Sequence, residues 1–144
     1  MDTVFNFNLD YMDTISHALW GKGLFGYRKY RSYALIFGVI PDLFSFGLYF
    51  LYNLIFNFSN LKFGKPALND LPQWVFSSYD FSHSIIVAFV LIIIVYRFNK
   101  DFCFPMLAWP FHIILDFFTH SAEYFPTPVL WPLSDYKFNG IPWS

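Results

Sequence analysis

The sequence predicts an all-α integral membrane protein, a single helical bundle over residues 1–144 with about three spanning helices and a short N-terminal helix. Apolar residues make up 56% and aromatic residues 25% of the chain, more than a soluble domain of this length can bury. Only 13% of the residues are charged, and the basic ones lie in short clusters, as in the loops of bilayer proteins. Three apolar stretches approach or exceed the roughly 20 residues that a spanning helix needs.

These stretches are residues 33–58, 81–98 and 102–118. The second contains an unbroken apolar run from Ile85 to Tyr96, whose β-branched residues would suit a buried strand. Its length and lack of turn residues favour a helix. In the third stretch, Pro105 and Pro110 predict a bend near the start.

The segments between these stretches are shorter or irregular. Residues 9–20 suggest a re-entrant or interfacial helix, capped by Asp13 or Thr14 and ended by the glycines of residues 21–23. Residues 57–79 and the tail from Glu123 are rich in proline and are predicted to be irregular.

Charge predicts the orientation and excludes one class of partner. Basic residues cluster at positions 22–31 and 97–100, and the positive-inside rule places both groups in the cytoplasm. The three spans then run outward, inward and outward through the plasma (inner) membrane. The net charge of -1 provides no basic surface for nucleic acid.

Ionisable side chains interrupt all three apolar stretches. Asp42, His83, His112 and Asp116 each cost about 2.5–3.5 kcal/mol to insert, so a functional role is the first hypothesis. At about 1.5 Å per helical residue, their heights above the predicted cytoplasmic ends are roughly 15, 21, 15 and 21 Å, respectively. The four side chains are therefore predicted to share one layer of the bundle.

The third stretch carries His112, Asp116 and His120 at i, i+4 and i+8, within an arc of roughly 80° on one helix face. Glu123 joins that arc only if the helix extends so far. Imidazole and carboxylate ligands together suit zinc, with manganese, iron or nickel as alternatives. Six ligands would be enough for one or two ions, and the candidates are His17, Asp42, His83, His112, Asp116 and His120.

Neighbouring polar residues are candidates for orienting these ligands. A hydroxyl residue precedes three of the histidines, in Ser16-His17, Ser82-His83 and Thr119-His120, and could hold the imidazole ring. Asp13, four residues before His17, would share its helix face.

Each of these features also has a structural interpretation. His17 alone could be a hydrogen bonder between packed helices, and Pro41-Asp42 could be a kink with a capping carboxylate. The face that carries His112 could belong to a polar network or a proton path.

Five sequence blocks resemble the YdjM-type family of membrane-bound metal-dependent hydrolases. They are residues 16–21 (SHALWG), 38–43 (GVIPDL), 82–84 (SHS), 112–121 (HIILDFFTHS) and 125–135 (FPTPVLWPLSD). The family is more distantly similar to zinc-dependent phospholipase C and P1 nuclease, which implies phosphoester chemistry and the same six candidate ligands. Many members carry His-Arg before the Ser/Thr-His-Ser block, where this chain has Ser78-Tyr79, a departure that bears on activity or specificity.

The predicted activity is metal-assisted hydrolysis of a phosphoester in a lipid or lipid-linked substrate. A metal-bound hydroxide would attack, with Asp42 or Asp116 as general base if it is not a ligand. The alternative is a non-enzymatic membrane protein, either a metal or proton transporter or a regulatory binding module. The uniformly apolar inner half of the second stretch argues against a conducting path.

Overall fold

The structure, a computed structural model, describes residues 14–58 and 66–141, and all regular elements in these ranges are helical. This agrees with the predicted all-α fold. Seven α-helices lie in the described ranges, together with one π-helical turn, Leu43–Gly47, and one 3₁₀ turn, Leu68–Asp70. The α-helices are α1 Thr14–Phe25, α2 Tyr33–Asp42, α3 Leu48–Phe56, α4 Gln73–Ser82, α5 Ile85–Tyr96, α6 Lys100–Met106 and α7 Ala108–Thr119.

In the part of the chain that the structure describes, two helical segments are long and apolar enough to cross a membrane. They are Tyr33–Phe56, with 24 residues, and Lys100–Thr119, with 20 residues. A third is the pair α4 and α5, which meet at a bend of 57°, if the two count as one span. Many large apolar side chains on these segments are exposed, among them Phe56 and Ile93. Two to three spans and this apolar surface indicate a membrane protein.

The first span agrees with the predicted stretch and contains a π-helical turn that the sequence did not predict. Pro41 has no N–H to donate within the helix, and the chain changes to π-helical hydrogen bonding directly after Asp42. The buried Ser45 donates its hydroxyl to the carbonyl of Pro41 (3.2 Å) or that of Asp42 (3.3 Å). Asp42 is therefore the last residue before the π-helical turn, and a buried side chain within the bundle, Ser45, stabilises the backbone at this point.

The predicted second helix, residues 81–98, is wrong at its start. The backbone leaves the helical region at His83, and Ser84 caps α5 by accepting a hydrogen bond from the Val87 N–H (3.2 Å). A separate helix, α4 (Gln73–Ser82), takes in the end of the predicted loop, residues 57–79, and the start of the predicted second helix. The starts of α4 and α5 both have a signal in the sequence, because Pro72 precedes the first residue of α4 and serine is a preferred N-cap residue. The prediction followed the long apolar run instead.

The third span begins at Lys100, where the Asn99 side chain accepts a hydrogen bond from the Phe102 N–H (3.2 Å). It is interrupted at Leu107, between the prolines Pro105 and Pro110 that predicted a bend. The segment nevertheless counts as one helix of 20 residues, Lys100–Thr119.

The N-terminal helix α1 does not end at the glycines of residues 21–23, as the sequence suggested, but continues to Phe25. A Cβ atom on Gly21 would lie 2.7 Å from the carbonyl oxygen of Ala34, and one on Gly38 would lie 2.5 Å from that of His17. These two glycines allow the backbones of α1 and α2 to touch, as small residues do in membrane helix pairs. The residues predicted to begin the helix, 9–13, lie outside the described ranges.

The close contact between α1 and α2 can be tested with a substitution and a control substitution that both lie on α1. We expect Gly21→Ala to destabilise the fold by about 1–3 kcal/mol, because the added methyl forces two backbones apart. Gly23→Ala has no atom within 4 Å of the new Cβ and should be neutral or stabilising by up to about 1 kcal/mol. Thermal unfolding in detergent measures both, and equal shifts would contradict a tight crossing at Gly21.

The C-terminal tail is irregular as predicted, but it is packed against the bundle. The Gly140 N–H donates to the carbonyl of His120 (2.8 Å), and the Ile141 N–H donates to that of Phe118 (2.8 Å). The carbonyl of Trp131 accepts a hydrogen bond from the Ser84 hydroxyl. These bonds close the end of α7 and tie the tail to the start of α5.

Candidate metal centre

Asp116 lies at the centre of a cluster that contains all six predicted site residues. Its side chain is 0% exposed, and Oδ1 lies 3.0 Å from Nε2 of His17 and 3.7 Å from Nε2 of His120. The other oxygen, Oδ2, lies 3.0 Å from Nε2 of His112 and 3.2 Å from Nε2 of His83. The two carboxylate oxygens therefore face different pairs of histidines.

Asp42 completes the cluster on the Oδ2 side of Asp116. Its Oδ1 lies 3.7 Å from Nε2 of His83 and 3.6 Å from Nε2 of His112. Its Oδ2 accepts a hydrogen bond from the Thr14 hydroxyl (2.7 Å), which holds the carboxylate in place. Ligand atoms of Asp42, His83, His112 and Asp116 all lie within 4.8 Å of one another and could hold a metal ion. The matching depths predicted from the sequence agree with this convergence.

The outer nitrogens of three histidines are paired with backbone carbonyls. The contacts are His112 Nδ1 to Gly38 O (2.7 Å), His83 Nδ1 to Tyr79 O (3.2 Å) and His120 Nδ1 to Phe125 O (3.1 Å). A carbonyl only accepts hydrogen bonds, so each Nδ1 carries the proton and the lone pair of the neutral ring is on Nε2. All three Nε2 atoms face Asp116, the arrangement in which imidazole binds a metal.

Several inner atoms of the cluster are acceptors that face one another. Nε2 of His83 and Nε2 of His112 lie 3.3 Å apart, although both are lone-pair nitrogens in these tautomers. Neither oxygen of Asp116 receives a hydrogen bond of good geometry from the described residues, although Nε2 of His17 lies 3.0 Å from Oδ1. A buried carboxylate that lacks well-formed hydrogen bonds is costly, and a dication among these atoms would compensate its charge and accept the lone pairs. The donor set therefore fits a metal.

The spacing of His112, Asp116 and His120 predicted one continuous helix face, and this is wrong for its last member. Helix α7 ends at Thr119, and His120 has an extended backbone, with its carbonyl bound by the tail. Its Nε2 nevertheless turns toward Asp116. Burial lowers the pKa of the His120 imidazole, which favours the neutral ring that metals bind, although the Asp116 carboxylate acts in the opposite direction. Glu123 lies beyond the helix and is exposed.

His17 approaches the cluster from α1. Its ring centroid lies 3.8 Å from that of His112, and its buried Nδ1 has no hydrogen-bond partner among the residues that the structure describes. Asp13, predicted to hold this ring, lies outside the described ranges.

The hydroxyls predicted to orient the histidines differ in what they do. Ser82 Oγ lies 3.0 Å from Nδ1 of His83 and also 3.0 Å from the carbonyl of Pro41, so it links the ring to the backbone beside Asp42. The Thr119 hydroxyl instead donates to the carbonyl of Leu115 (3.0 Å). The prediction is confirmed for Ser82 and wrong for Thr119.

Tyr79 is a residue whose role in the centre the sequence did not predict. Its buried ring stacks on His83 with centroids 3.8 Å apart. Its hydroxyl donates to the carbonyl of Phe125 (2.9 Å) and lies 3.0 Å from Nδ1 of His120. Tyr79 therefore positions two histidines. The i, i+4 spacing of Tyr79 and His83 was the available signal, but this segment was predicted to be a loop.

The Ser82 contacts lead to a prediction about metal affinity. We expect Ser82→Ala to weaken metal binding by about 10–100-fold, the usual effect of losing a group that orients a ligand. Ser77→Ala is the control, because the Ser77 hydroxyl is exposed and donates to Gln73 within the same helix. Titration of the apoprotein with zinc against a competing chelator measures both affinities. Equal affinities for Ser82→Ala and the unaltered protein would show that Ser82 does not position His83.

Comparison with known proteins found no matching family model, curated protein or solved structure. The resemblance to the YdjM-type family thus stays a prediction from sequence motifs.

Proposed function

We propose that this chain is a membrane-bound, metal-dependent hydrolase that cleaves a phosphoester in a lipid or lipid-linked substrate. The observation that carries the proposal is the buried centre, in which histidine lone pairs and two carboxylates converge. No lysine or arginine of the described ranges pairs with Asp42 or Asp116, since the ion pairs of these cations lie at the surface. The negative charges of the Asp42 and Asp116 carboxylates therefore favour bound metal cations.

The two sides of Asp116 support one or two zinc ions. Asp42, His83, His112 and Oδ2 of Asp116 would hold the first ion. His17, His120 and Oδ1 of Asp116 would hold a second ion, so Asp116 would contribute to both sites. Mixed imidazole and carboxylate ligands suit zinc, whereas manganese, iron and nickel are alternatives.

The two carboxylates have different roles in this proposal. Asp116 is fully buried among the imidazoles and acts as a ligand. Asp42 is a carboxylate that is 16% exposed, which would leave it open to a substrate, so it is the candidate general base as well as a ligand. A bound dication lowers the pKa of a coordinated water to about 7 and stabilises negative charge on a phosphoryl oxygen.

The plasma (inner) membrane is the proposed location. Lys29 pairs with Asp101 (3.1 Å), and the Arg28 guanidinium lies 4.3 Å from the centroid of the Phe104 ring. These contacts bring the basic loop after α1 next to the start of α6, so the two basic groups of the chain lie at one end of the bundle. A single basic end matches the positive-inside rule for a cytoplasmic face.

The deciding experiment uses the purified full-length chain in nanodiscs. Zinc content is measured first, followed by hydrolysis of bis(p-nitrophenyl) phosphate and of phospholipids, with chelation and re-addition of zinc. The expected result is bound zinc and hydrolysis that chelation removes and zinc restores. A chain without bound metal would be a structural polar network with protonated imidazoles. Bound metal without hydrolysis, but with zinc or proton flux in proteoliposomes, would identify a transporter.

Asp80→Asn is the matched control for loss of hydrolysis in Asp42→Asn. Both changes neutralise one partly exposed carboxylate, but Asp80 pairs with Lys137 at the surface. We expect Asp42→Asn to lower kcat by roughly 10²–10⁴-fold, the range for a general base, and Asp80→Asn to leave kcat unchanged. Equal kcat values in the two variants would remove Asp42 from the reaction.

A further inference from the structure

A cavity of about 350 Å³ lies beside the metal centre. This volume is within the range of about 300–1,000 Å³ of small-molecule sites. Its walls come from both spans and from the bent helix pair α4 and α5, and all but one of its lining side chains are hydrophobic.

The mouth of the cavity opens on the surface of a spanning segment. Leu43, Phe44, Leu48 and Phe81 line it, and all four side chains are exposed. Three of them belong to the span Tyr33–Phe56. In a bilayer this surface contacts lipid tails, so a hydrocarbon chain can enter sideways without crossing water.

The inner wall offers no free polar group. The Trp109 indole N–H donates to the carbonyl of Ser82 (2.8 Å), and the Ser82 hydroxyl is bound to Pro41 O and His83 Nδ1. Apolar cavities of this kind stay dry and take up apolar guests. A sugar or nucleotide would lose its hydrogen bonds here, whereas a hydrocarbon chain would not.

The cavity lies alongside the metal centre, because sequence neighbours of the candidate ligands on three helices line it, although the ligands themselves do not. Ile40 and Leu43 flank the Pro41-Asp42 pair, Ser82 precedes His83, and Trp109 lies one turn before His112. A hydrocarbon chain whose polar end lies at the Leu43 side of the cavity would bring that end beside Asp42, whose side chain is 16% exposed.

We propose that this cavity holds an acyl chain of a membrane phospholipid and so positions the phosphoester at Asp42. The assignment of the phosphoester rests on the proposed hydrolase function, whereas binding of the chain does not. The cavity therefore selects substrates by a hydrocarbon chain near the scissile group, and the metal ligands recognise the phosphate.

The test is photo-crosslinking of the full-length chain in nanodiscs that contain a phosphatidylcholine with a diazirine in one acyl chain. Labelled positions are mapped by mass spectrometry. We expect labels concentrated on the cavity-lining residues Leu48, Leu91 and Trp109, well above those on the exposed Ile55 and Ile93. Leu48→Trp narrows the mouth and should reduce cavity labelling several-fold. Ile55→Trp, on the same helix and equally apolar, should not.

Leu91→Trp fills the inner wall and repeats the test, with Ile93→Trp on the same helix as its control. Labelling that follows surface exposure alone, as annular lipid would give, overturns the proposal. Preferential labelling by an isoprenyl probe overturns the acyl assignment.

The experiments distinguish failure of the proposed hydrolase function from failure of the lipid site. Labelling needs neither metal nor turnover, so the chelated protein should be labelled equally. Zinc-dependent hydrolysis without cavity labelling would refute only the lipid site, and cavity labelling without hydrolysis would refute only the hydrolase.

Discussion

Asp116→Asn should remove nearly all bound metal from the protein. The two oxygens of Asp116 face both pairs of histidines. An asparagine has nearly the same shape, but it carries no charge and turns an NH₂ donor toward one of these pairs. We expect zinc affinity to fall by more than the 10–100-fold typical of residues that only orient ligands, and hydrolysis to fall with it. Metal analysis after gel filtration measures the loss.

Asp101→Asn is the control for this loss, because Asp101 lies on the same span but is exposed and pairs with Lys29 at the surface. It should retain the full zinc content. Far-UV circular dichroism should be unchanged in both variants, since the amide is isosteric with the carboxylate. Unaltered zinc content in Asp116→Asn would place the metal elsewhere and end the proposal for this centre.

Zinc should raise the thermal stability of the chelated protein substantially. The folded chain gathers at least four ligand atoms within 4.8 Å, whereas the unfolded chain separates them. A ligand that binds only the folded state at 1,000 times its Kd contributes about 4.1 kcal/mol. The shift in the midpoint of thermal unfolding, recorded in detergent with and without zinc, measures this effect.

Two controls distinguish this stabilisation from a general salt effect. Magnesium at the same concentration should produce little shift, because it prefers six oxygen ligands and this centre is rich in nitrogen. Asp116→Asn should show no zinc-dependent shift. A midpoint that is the same in chelator and in zinc would indicate a polar network held by protons.

The spans could be predicted because their signals are local. An apolar stretch of about 20 residues has few alternatives to a membrane helix, and residues 33–58 and 102–118 match the observed helices to within two residues at each end. The errors lie where tertiary contacts override local signals. Gly21 resembles a helix breaker in sequence, but it serves the contact with Ala34 on the neighbouring helix.

The candidate site was predicted as a set of residues but not as an arrangement. Ionisable side chains in an apolar stretch can be recognised from residue type alone, because they are costly to insert. The residues that orient these side chains cannot be recognised in this way. In the sequence, Tyr79 resembles any other aromatic residue. Its hydroxyl becomes part of the centre because the tail packs back against the bundle and brings the Phe125 carbonyl to it. Gly38 contributes a backbone carbonyl, which no residue type reveals.

By itself, the sequence determined that the chain is helical, that it has the length and apolarity to enter a membrane, and which six side chains are candidate ligands. These properties depend on residue type and on short-range periodicity. Only the tertiary structure decided that Asp116 divides its oxygens between two pairs of histidines. It also decided which nitrogen of His83, His112 and His120 faces inward. The reason is that the angles and distances at which helices and tail meet are set by packing between residues far apart in the chain.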